Sequence, residues 1–488
     1  MPASASDPYD LAVLGAGAAG LSGAVTAAEL GLSVALLDAA PQAGGQFYRH
    51  PAPAAGAARP EALHHDWAAF AALRRRLERS DVRHLPGHHV WAVTQEDGGL
   101  WAVHAVTGPD GTGEQAVRVR ARTVLLATGA YERQLPFPGW TVPGVVGAGG
   151  AQAMLKSGLV LPGRRIVVAG SGPLLLAVAS SLAAAGAQVP AVIEASGYLG
   201  YARRPGALAA NPRKLAEAAV HGAALLRHRV RLRTRSAVTE VHGTDRVAAV
   251  TVTRLDRDWR PVRGTGRRIA CDALAVGHGL VPQIELATAL GCATRRTADG
   301  TSALALTALQ ETSVRGLWAA GETGGVGGAP LARTEGELAG LAAAARLQGR
   351  PADEGRVRAL RRRRDRMRAF AEALAACHAP AAGWTGWLTD ATEVCRCEEV
   401  TVGTIREAVS GLGARDARTV KLLTRAGMGW CQGRMCGTAA ACLAGGDGEA
   451  EPPAERRPFA VPVPLSALAS PDNDATGSRP DAAPAVDD

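Results

Sequence analysis

Residues 9–38, YDLAVLGAGAAGLSGAVTAAELGLSVALLD, constrain the fold of this chain more than any other stretch. A short apolar run precedes a glycine turn, a helical segment and a second apolar run, which is the order of a strand–helix–strand unit. The turn has G-x-G-x-x-G spacing and consists of Gly15, Gly17 and Gly20. The first glycine allows a tight turn, the second lets a pyrophosphate approach the backbone, and the third lets the helix pack on the strand. Asp38 then stands where an acid binds ribose hydroxyls, so the stretch predicts a dinucleotide site.

The composition is that of a soluble globular protein with more than one domain: 488 residues, 47% hydrophobic and 20% charged. The net charge of +9 comes almost entirely from arginine, and no recognition motif accompanies it, so we expect no nucleic-acid partner. No basic residue precedes the apolar stretch at residues 11–37, whereas Asp7 and Asp10 do. We therefore predict neither a signal peptide nor a transmembrane segment, and a cytoplasmic location.

Two further segments extend the first dinucleotide unit. The loop PQAGGQFYR after Asp38 falls at the carboxyl edge of the sheet, where ligands bind, and contains Gly44, Gly45 and Gln46. Residues 82–122 alternate apolar and polar side chains, which predicts a β-meander. The histidines of this region, which we interpret as surface residues and not as metal ligands, are His84, His88 and His89.

A second βαβ unit begins near residue 165. Its turn contains Gly170 and Gly172, and its second strand ends at Glu194, an acid placed to bind a ribose. The third glycine of the motif is replaced by Leu175, and no pair of arginines follows the acid to select a 2′-phosphate. Two interpretations stay open here: a nicotinamide site for NAD, or a nucleotide site with a structural role.

Four of the eight cysteines are concentrated near the carboxyl end in the pattern C-x-C and C-x4-C: Cys395, Cys397, Cys431 and Cys436. Four thiolates in two close pairs can hold zinc or an iron–sulfur cluster, and C-x-C is cramped for a zinc knuckle. The surrounding glycines suit a tight loop whose N–H groups point at the sulfurs, and the residues alone leave zinc and a cluster both open. The solitary cysteines expected in the core are Cys271, Cys292 and Cys377.

The segments TVLLATG at residues 123–129 and TSVRGLWAAGE at residues 312–322 resemble motifs of the two-dinucleotide-domain flavoproteins. This resemblance implies FAD, with Gly129, Gly321 and Glu322 beside it. The cysteine pattern resembles the bacterioferritin-associated-ferredoxin-like [2Fe–2S] module. Over residues 9–470 the chain is similar to the α-type subunits of opine oxidases, hydrogen cyanide synthase and D-hydroxyproline dehydrogenase.

The resemblance implies an α/β fold: two Rossmann-like dinucleotide-binding domains of the glutathione-reductase type and a small helical [2Fe–2S] domain. The implied divisions are a flavin domain in two parts (1–155 and 285–348), a second nucleotide domain (156–284), a helical linker (349–389), the cluster domain (390–445) and a proline-rich, partly disordered tail (446–488). In the tail, residues 456–469 look like an extended segment able to lie across another subunit. The basic helix at residues 353–377 is interpreted as a solvated face or as a docking surface for a partner.

The resemblance also implies a function. The chain would carry electrons in a hetero-oligomeric dehydrogenase for an amine or amino acid, such as an opine, hydroxyproline or glycine-like substrate. A glycine-oxidase-like flavoprotein β subunit would supply the electrons, and a small ferredoxin-like subunit or a respiratory acceptor would receive them. NAD, ATP or FMN could occupy a second site. We predict no catalytic residue, and we interpret His278 as a satisfied loop residue.

Two other functions compete with this one. The first is a self-contained NAD(P)H-dependent reductase, in which hydride passes from the second domain through FAD to the cluster. The second is a non-enzymatic scaffold whose nucleotides and metal are structural. The intact glycine turns favour the enzymatic interpretations over the scaffold.

Overall fold

The computed structural model describes residues 7–64, 66–108, 114–445 and 457–469. The strands are β1 (Tyr9–Leu14), β2 (Val34–Asp38), β3 (Arg83–Pro86), β4 (His89–Gln95), β5 (Trp101–Thr107), β6 (Gln115–Leu126), β7 (Ala130–Glu132), β8 (Val145–Gly147), β9 (Ile166–Gly170), β10 (Ala191–Glu194), β11 (Arg231–Thr234), β12 (Ser236–His242), β13 (Ala249–Arg254), β14 (Arg267–Ala270), β15 (Ala273–Gly277), β16 (Leu280–Pro282), β17 (Thr294–Arg296), β18 (Ser302–Leu304), β19 (Leu317–Ala319), β20 (Glu393–Cys395) and β21 (Val400–Thr401). The helices are α1 (Ala18–Glu29), α2 (Trp67–Glu78), α3 (Ala148–Gly158), α4 (Leu174–Ala184), α5 (Pro205–Ala209), α6 (Pro212–Arg227), α7 (Glu285–Ala289), α8 (Ala329–Gln348), α9 (Glu354–Cys377), α10 (Val402–Ser410), α11 (Ala417–Thr424), α12 (Gly437–Ala444) and α13 (Leu465–Ala469).

The first sheet has the strand order β3-β2-β1-β6-β5-β4, with β19 also paired to β6. Strand β1 is parallel to β2 and β6, and its buried face explains the apolar run that opens the chain. Strand β6 is long enough to take part both in an antiparallel meander and in the parallel part of this sheet. Its first half pairs with β5 in the predicted antiparallel meander, and its second half lies between β1 and β19.

Helices α1 and α8 pack against each other beside this sheet, and small residues make the contact close. A Cβ atom on Gly336 would lie 2.0 Å from the carbonyl oxygen of Ala19, and one on Gly340 would lie 2.6 Å from that of Gly23. The alanine- and glycine-rich sequence of α8 therefore brings residues far apart in the chain to the first glycine turn.

The second sheet is parallel, in the order β11-β10-β9-β15-β8. Between β11 and β15 the chain forms an antiparallel meander of β12, β13 and β14. Strands β7 and β16 pair antiparallel and form the crossover between the two units, with Tyr131 opposite Val281. Two dinucleotide folds with a crossover are the predicted fold class, which is confirmed.

The cysteine module (residues 393–444) shares one buried apolar cluster with Trp384 and Trp387, which precede it, and with Trp259 of the second meander. Trp259 and Trp387 stack with their ring centroids 6.0 Å apart, and Nε1 of Trp387 donates to the Trp259 carbonyl at 2.9 Å. Nε1 of Trp140 donates to the Glu393 carbonyl at 2.7 Å. Because these contacts are buried, the module is fixed to the body of the chain.

Helix α9 is not only a solvated face. The guanidinium of Arg368 bonds the buried Glu335 carboxylate and the Gly325 carbonyl, and Arg364 reaches the Ala308 carbonyl at 3.3 Å. The arginines of α9 that stay exposed are Arg356, Arg358, Arg361, Arg362, Arg363 and Arg366. The helix therefore anchors itself through one face and presents arginine on the other.

The tail corrects one sequence interpretation. Residues 457–469, interpreted as a segment that lies across another subunit, pack on the chain's own first meander. The N–H of Ala460 donates to the Trp91 carbonyl at 2.8 Å, and the Phe459 ring meets the Trp91 ring at 5.2 Å. Apolar surface around Trp91 is the physical reason. The predicted disorder of residues 470–488 lies outside the described residues. Among the helices that the structure describes, none is both long and apolar enough to cross a membrane.

Candidate cofactor sites

The first glycine turn requires glycine for steric reasons. Gly15 has φ +105°, and a Cβ atom there would lie 2.4 Å from the Ala127 carbonyl oxygen. A Cβ atom on Gly20 would lie 1.8 Å from the Gly15 carbonyl oxygen, so α1 packs directly on the turn. A Cβ atom on Gly45 would lie 2.8 Å from Cα of Gly17. The loop after β2 thus meets the start of α1 backbone to backbone, where N–H groups favour phosphate.

Asp38 lies at the carboxyl end of β2, as predicted, beside this turn. Its carboxylate accepts hydrogen bonds from the N–H groups of Ala16 and Ala40, the latter at 2.6 Å, and the residue is half-buried. Asp38 is therefore partly exposed next to the glycine turn. This is the arrangement that a ribose-binding acid needs.

Two histidines near Asp38 are more buried than the sequence suggested. Strand β3 pairs parallel with β2, which brings His84 and His88 to the Asp38 end of the sheet, while His89 is exposed. Burial lowers the pKa of His84, although the Asp38 charge opposes this shift. The Nε2 atom of His84 is buried without a partner among the described residues. The surface interpretation is therefore least accurate for His84, whereas His88 is partly exposed and His89 is exposed.

The late motif lies between the starts of α1 and α8. A Cβ atom on Gly321 would lie 3.0 Å from the Ala19 side chain, and the Gly321 N–H donates to Glu335 at 3.0 Å. The Glu322 carboxylate accepts from the N–H groups of Gly327 at 2.6 Å and Gly328 at 3.0 Å, and burial raises its pKa. Glu322 thus holds the loop before α8 at the same corner as the first turn.

Lys156, which no sequence pattern indicated as a site residue, lies beside the loop that contains Gln46. Its side chain is 6% exposed, and Nζ donates to the Phe47 carbonyl at 3.0 Å. Burial lowers the pKa of Lys156 to about 8. A signal was present: the chain has only three lysines among its basic residues. Tyr48, next in this loop, is fully buried and accepts from Arg333 at 2.5 Å.

The four cysteines of the C-terminal module converge in two pairs. The Cys436 thiol donates to Cys395, and this bond, followed by N–H groups of Gly427, Glu398 and Cys397, lowers the pKa of Cys395 to about 5. Cys397 and Cys431 form the second pair. Cys395 and Cys436 are each 1% exposed, whereas Cys397 is exposed. N–H groups pointing at sulfur are what the glycine-rich loop predicted.

The loop at residues 427–436, which carries one cysteine of each pair, requires glycine at several positions. Gly427 has φ +88° and Gly433 has φ +79°. A Cβ atom on Gly429 would lie 2.1 Å from Cβ of Cys397. A side chain at this position would push the two halves of the module apart.

The donor set fits a binuclear cluster. Among the residues that the structure describes, no three or more His, Cys, Asp or Glu side chains are grouped to hold one metal ion. The two thiol pairs also face each other, because Cys397 interacts with Cys395 and Cys436 interacts with Cys431. Four such thiolates can give each iron of a [2Fe–2S] cluster two ligands.

The solitary cysteines are placed elsewhere. Cys271 and Cys292 are buried in the core, as expected. Cys377 is half-buried, because it ends α9 beside Gly197 and Gly200 of the second nucleotide fold. No cysteine pair therefore lies at the first dinucleotide fold within the described part of the chain.

A cavity of about 250 Å³ separates the crossover strands from the cysteine module. Its lining includes Tyr131, Arg133, Glu285, Lys421, Gly433 and Arg457. Arg133, 3% exposed, pairs with Asp299 at 2.6 Å, and Arg434 pairs with Glu285 at 3.1 Å. The gap between the flavin fold and the cluster loop is therefore bordered by the ion pair of buried Arg133 and by the partly exposed pair of Arg434 and Glu285.

Comparison with known proteins places the chain in a class. Residues 9–349 match the pyridine nucleotide-disulphide oxidoreductase family, and residues 393–443 match the BFD-like [2Fe-2S] binding domain. The chain belongs to the pyridine nucleotide-disulphide oxidoreductase family, whose members are flavin-dependent oxidoreductases. FAD and a [2Fe–2S] cluster follow as its cofactors, which confirms the cofactor prediction.

Particular relatives are similar over most of their length. The HcnB component of the hydrogen cyanide synthase of Pseudomonas protegens is 32% identical over 435 residues, which are 87% of this chain and 89% of that protein. A component of the opine oxidase of Rhizobium meliloti is 36% identical over 444 residues, 89% of this chain and 92% of that protein. The resemblance drawn from the motifs is thus confirmed.

Among solved structures, L-proline dehydrogenase from P. horikoshii superposes with a TM-score of 0.65. The match covers 95% of this chain and 79% of that one at 19% sequence identity. At that identity the likeness supports the fold. The ligand roles assigned to individual residues in the sequence analysis, and the domain boundaries, stay predictions.

Proposed function

We propose that this chain is the electron-transfer subunit of a heteromeric dehydrogenase or oxidase for an amine or amino acid. The observation that carries the proposal is one chain that joins a flavin fold to a packed cysteine module and is similar, nearly end to end, to subunits of hydrogen cyanide synthase and opine oxidase. In this proposal a glycine-oxidase-like flavoprotein subunit oxidises the substrate, and a ferredoxin-like subunit or respiratory acceptor takes the electrons. A cytoplasmic location is part of the same proposal.

In this proposal the flavin residues act by position. Gly15, Gly17 and Gly20 shape the turn that receives the pyrophosphate, and Asp38 binds the ribose. The other residues assigned to this site are Gly44, Gly45, Gln46, Gly129, Gly321 and Glu322. When bound, FAD accepts two electrons and the cluster passes them on singly.

In this proposal the residues of the cysteine module hold the cluster, control its exposure to water and influence its potential. Cys395, Cys397, Cys431 and Cys436 are the proposed ligands. The buried pair shields one side from water, and exposed Cys397 marks the side that faces outward. Backbone N–H groups aimed at Cys395 stabilise negative charge on sulfur, which raises the potential of a cluster.

The chain offers no base for substrate chemistry at His278. This residue is 3% exposed between Trp259 and Trp387, and burial lowers its pKa to about 3. Its Nδ1 has no partner among the described residues, so the interpretation as a satisfied histidine was wrong. A buried neutral imidazole of this kind is part of the packing between the second fold and the cysteine module.

The test is reduction through the partner. We expect the anaerobically purified chain to show flavin absorbance and a [2Fe–2S] EPR signal after chemical reduction. With the β subunit present, an amine such as an opine, hydroxyproline or glycine should reduce the cluster. The same amine should leave the isolated chain oxidised. Colourless protein with zinc and no iron, or cluster reduction by the amine without the β subunit, would contradict the proposal.

A further inference from the structure

The acid that ends β10 is sealed inside the protein. Glu194 is 1% exposed. Its carboxylate accepts hydrogen bonds from the N–H groups of Gly172 and Ser196, each at 2.9 Å, and Oε1 lies 3.4 Å from Nδ1 of His378. The side chain that would bind a nucleotide ribose is thus already surrounded by protein.

The seal comes from the end of α9. His378 directly follows that helix and is 6% exposed. Its Nε2 lies 2.9 Å from the Tyr201 hydroxyl, and Ser171 Oγ, in the glycine turn itself, donates to the His378 carbonyl at 2.9 Å. The Tyr198 ring meets the imidazole edge-on at 6.0 Å. We call His378, Tyr198 and Tyr201 the α9 latch.

The first dinucleotide fold provides an internal comparison. Asp38 and Glu194 hold equivalent positions, and each accepts a hydrogen bond from the glycine turn of its own fold, at Ala16 and Gly172. Contact with the turn therefore does not distinguish the two. Asp38 keeps an accessible part, whereas the α9 latch covers Glu194.

We infer that the second dinucleotide fold does not bind NAD(H) and that Glu194 instead fastens the linker between α9 and the cysteine module. A ribose can reach its acid only if both hydroxyls approach the carboxylate, and here the imidazole occupies that approach. The pyridine nucleotide that the family name implies does not fit these residues. Six residues after the latch histidine comes Trp384, so the latch helps to set where the module packs.

Nucleotide binding is the direct test, and it uses the wild-type chain with its cofactors. Titration calorimetry with NADH up to about 1 mM should show no saturable binding, and NADH should not bleach the flavin within minutes. Saturable binding that Glu194→Gln weakens tenfold or more would overturn the inference, because it would show that this acid holds a ribose.

The latch predicts a second readout that does not involve nucleotide. Glu194→Gln and His378→Ala should each lower Tm by about 1–3 °C, since the shift for a given loss of stability becomes smaller as the chain becomes longer. The double variant should lose less than the sum of the two single losses, because the two side chains are neighbours in one contact network. If either variant fails to fold, Tyr201→Phe, which removes only the hydroxyl near His378, should lower Tm by a smaller amount. Additive losses, or no loss in any of the three variants, would contradict the latch.

Discussion

At the residue scale, we predict that Asp38 helps the first fold to retain its cofactor. Asp38→Asn removes the charge that ribose hydroxyls bind, so we expect FAD to dissociate about tenfold more readily, as for the loss of one strong hydrogen bond. The measurement is flavin fluorescence released on dilution. Asp81→Asn is the matched control, because Asp81 is an exposed acid of the same region. Equal FAD loss in both variants would contradict the role of Asp38.

Lys156 predicts a pH dependence of stability. Burial lowers its pKa to about 8 from an ordinary 10.5. Between these two values the unfolded chain holds a proton that the folded chain has lost, so raising the pH favours folding, by up to about 3 kcal/mol in total. We expect the Tm of wild type minus that of Lys156→Met to increase from pH 8 to pH 10.5. A difference that stays constant over this range would refute the shift.

At this scale, whether a site residue could be predicted from the sequence depended on the kind of residue. The glycines of the first turn were predictable because their spacing encodes a backbone shape. Lys156 and His84 were not, because their burial arises when α3 meets the loop after β2 and when β3 pairs with β2. A periodic pattern carries no information about such contacts between distant segments.

At the element scale, the approach of α1 to α8 is the contact most sensitive to size. Gly336→Ala would place a Cβ atom 2.0 Å from the Ala19 carbonyl oxygen, so the helices must separate. We expect a loss of about 1–3 kcal/mol in the free energy of unfolding, with weaker FAD retention. Thermal unfolding of the holoprotein measures it.

The control for that change is another helical glycine. Gly222→Ala in α6 meets nothing within 4 Å, so it should leave stability unchanged or raise it by about 1 kcal/mol. Loss of stability in both variants would show a general effect of replacing glycine. A stable Gly336→Ala variant would contradict the close packing of the two helices.

The cysteine loop gives the second prediction at this scale. Cys395→Ser and Cys436→Ser should abolish the [2Fe–2S] absorbance and EPR signal, because each removes a proposed ligand from the buried pair. Cys442→Ser, a half-buried cysteine of α12 outside both pairs, should keep them. Iron analysis of the three variants is the measurement. Full iron content in Cys395→Ser would eliminate that ligand.

Sequence patterns identified elements well but not their neighbours. The strand–helix–strand units and the first meander follow from periodicity, because each buries one face against its own sheet. The tail was interpreted as a segment able to lie across another subunit, although the Ala460 N–H bonds the Trp91 carbonyl of the same chain. Apolar residues in an extended segment favour an apolar surface, and the sequence does not say on which chain that surface lies.

At the scale of the whole molecule, the outer face of α9 predicts electrostatic association. If the exposed arginines meet an acidic partner subunit, then Arg361→Glu with Arg362→Glu should slow association at least tenfold, and the effect should shrink as salt rises. Arg227→Glu with Arg231→Glu makes the same change of charge elsewhere on the surface and serves as the control. Association rates of the purified subunits decide between them, and equal slowing in both would argue against α9 as the docking face.

The α9 latch affects which electron donors and acceptors in the cell can react with this chain. A flavoprotein with an open nicotinamide site exchanges electrons with the soluble NADH pool in whichever direction the pool favours. A chain whose second fold is shut by its own histidine is insulated from that pool, so the current through it depends on the supply of amine and on the downstream acceptor. Fluctuations in the NADH/NAD⁺ ratio would then neither drive the oxidation backward nor drain it.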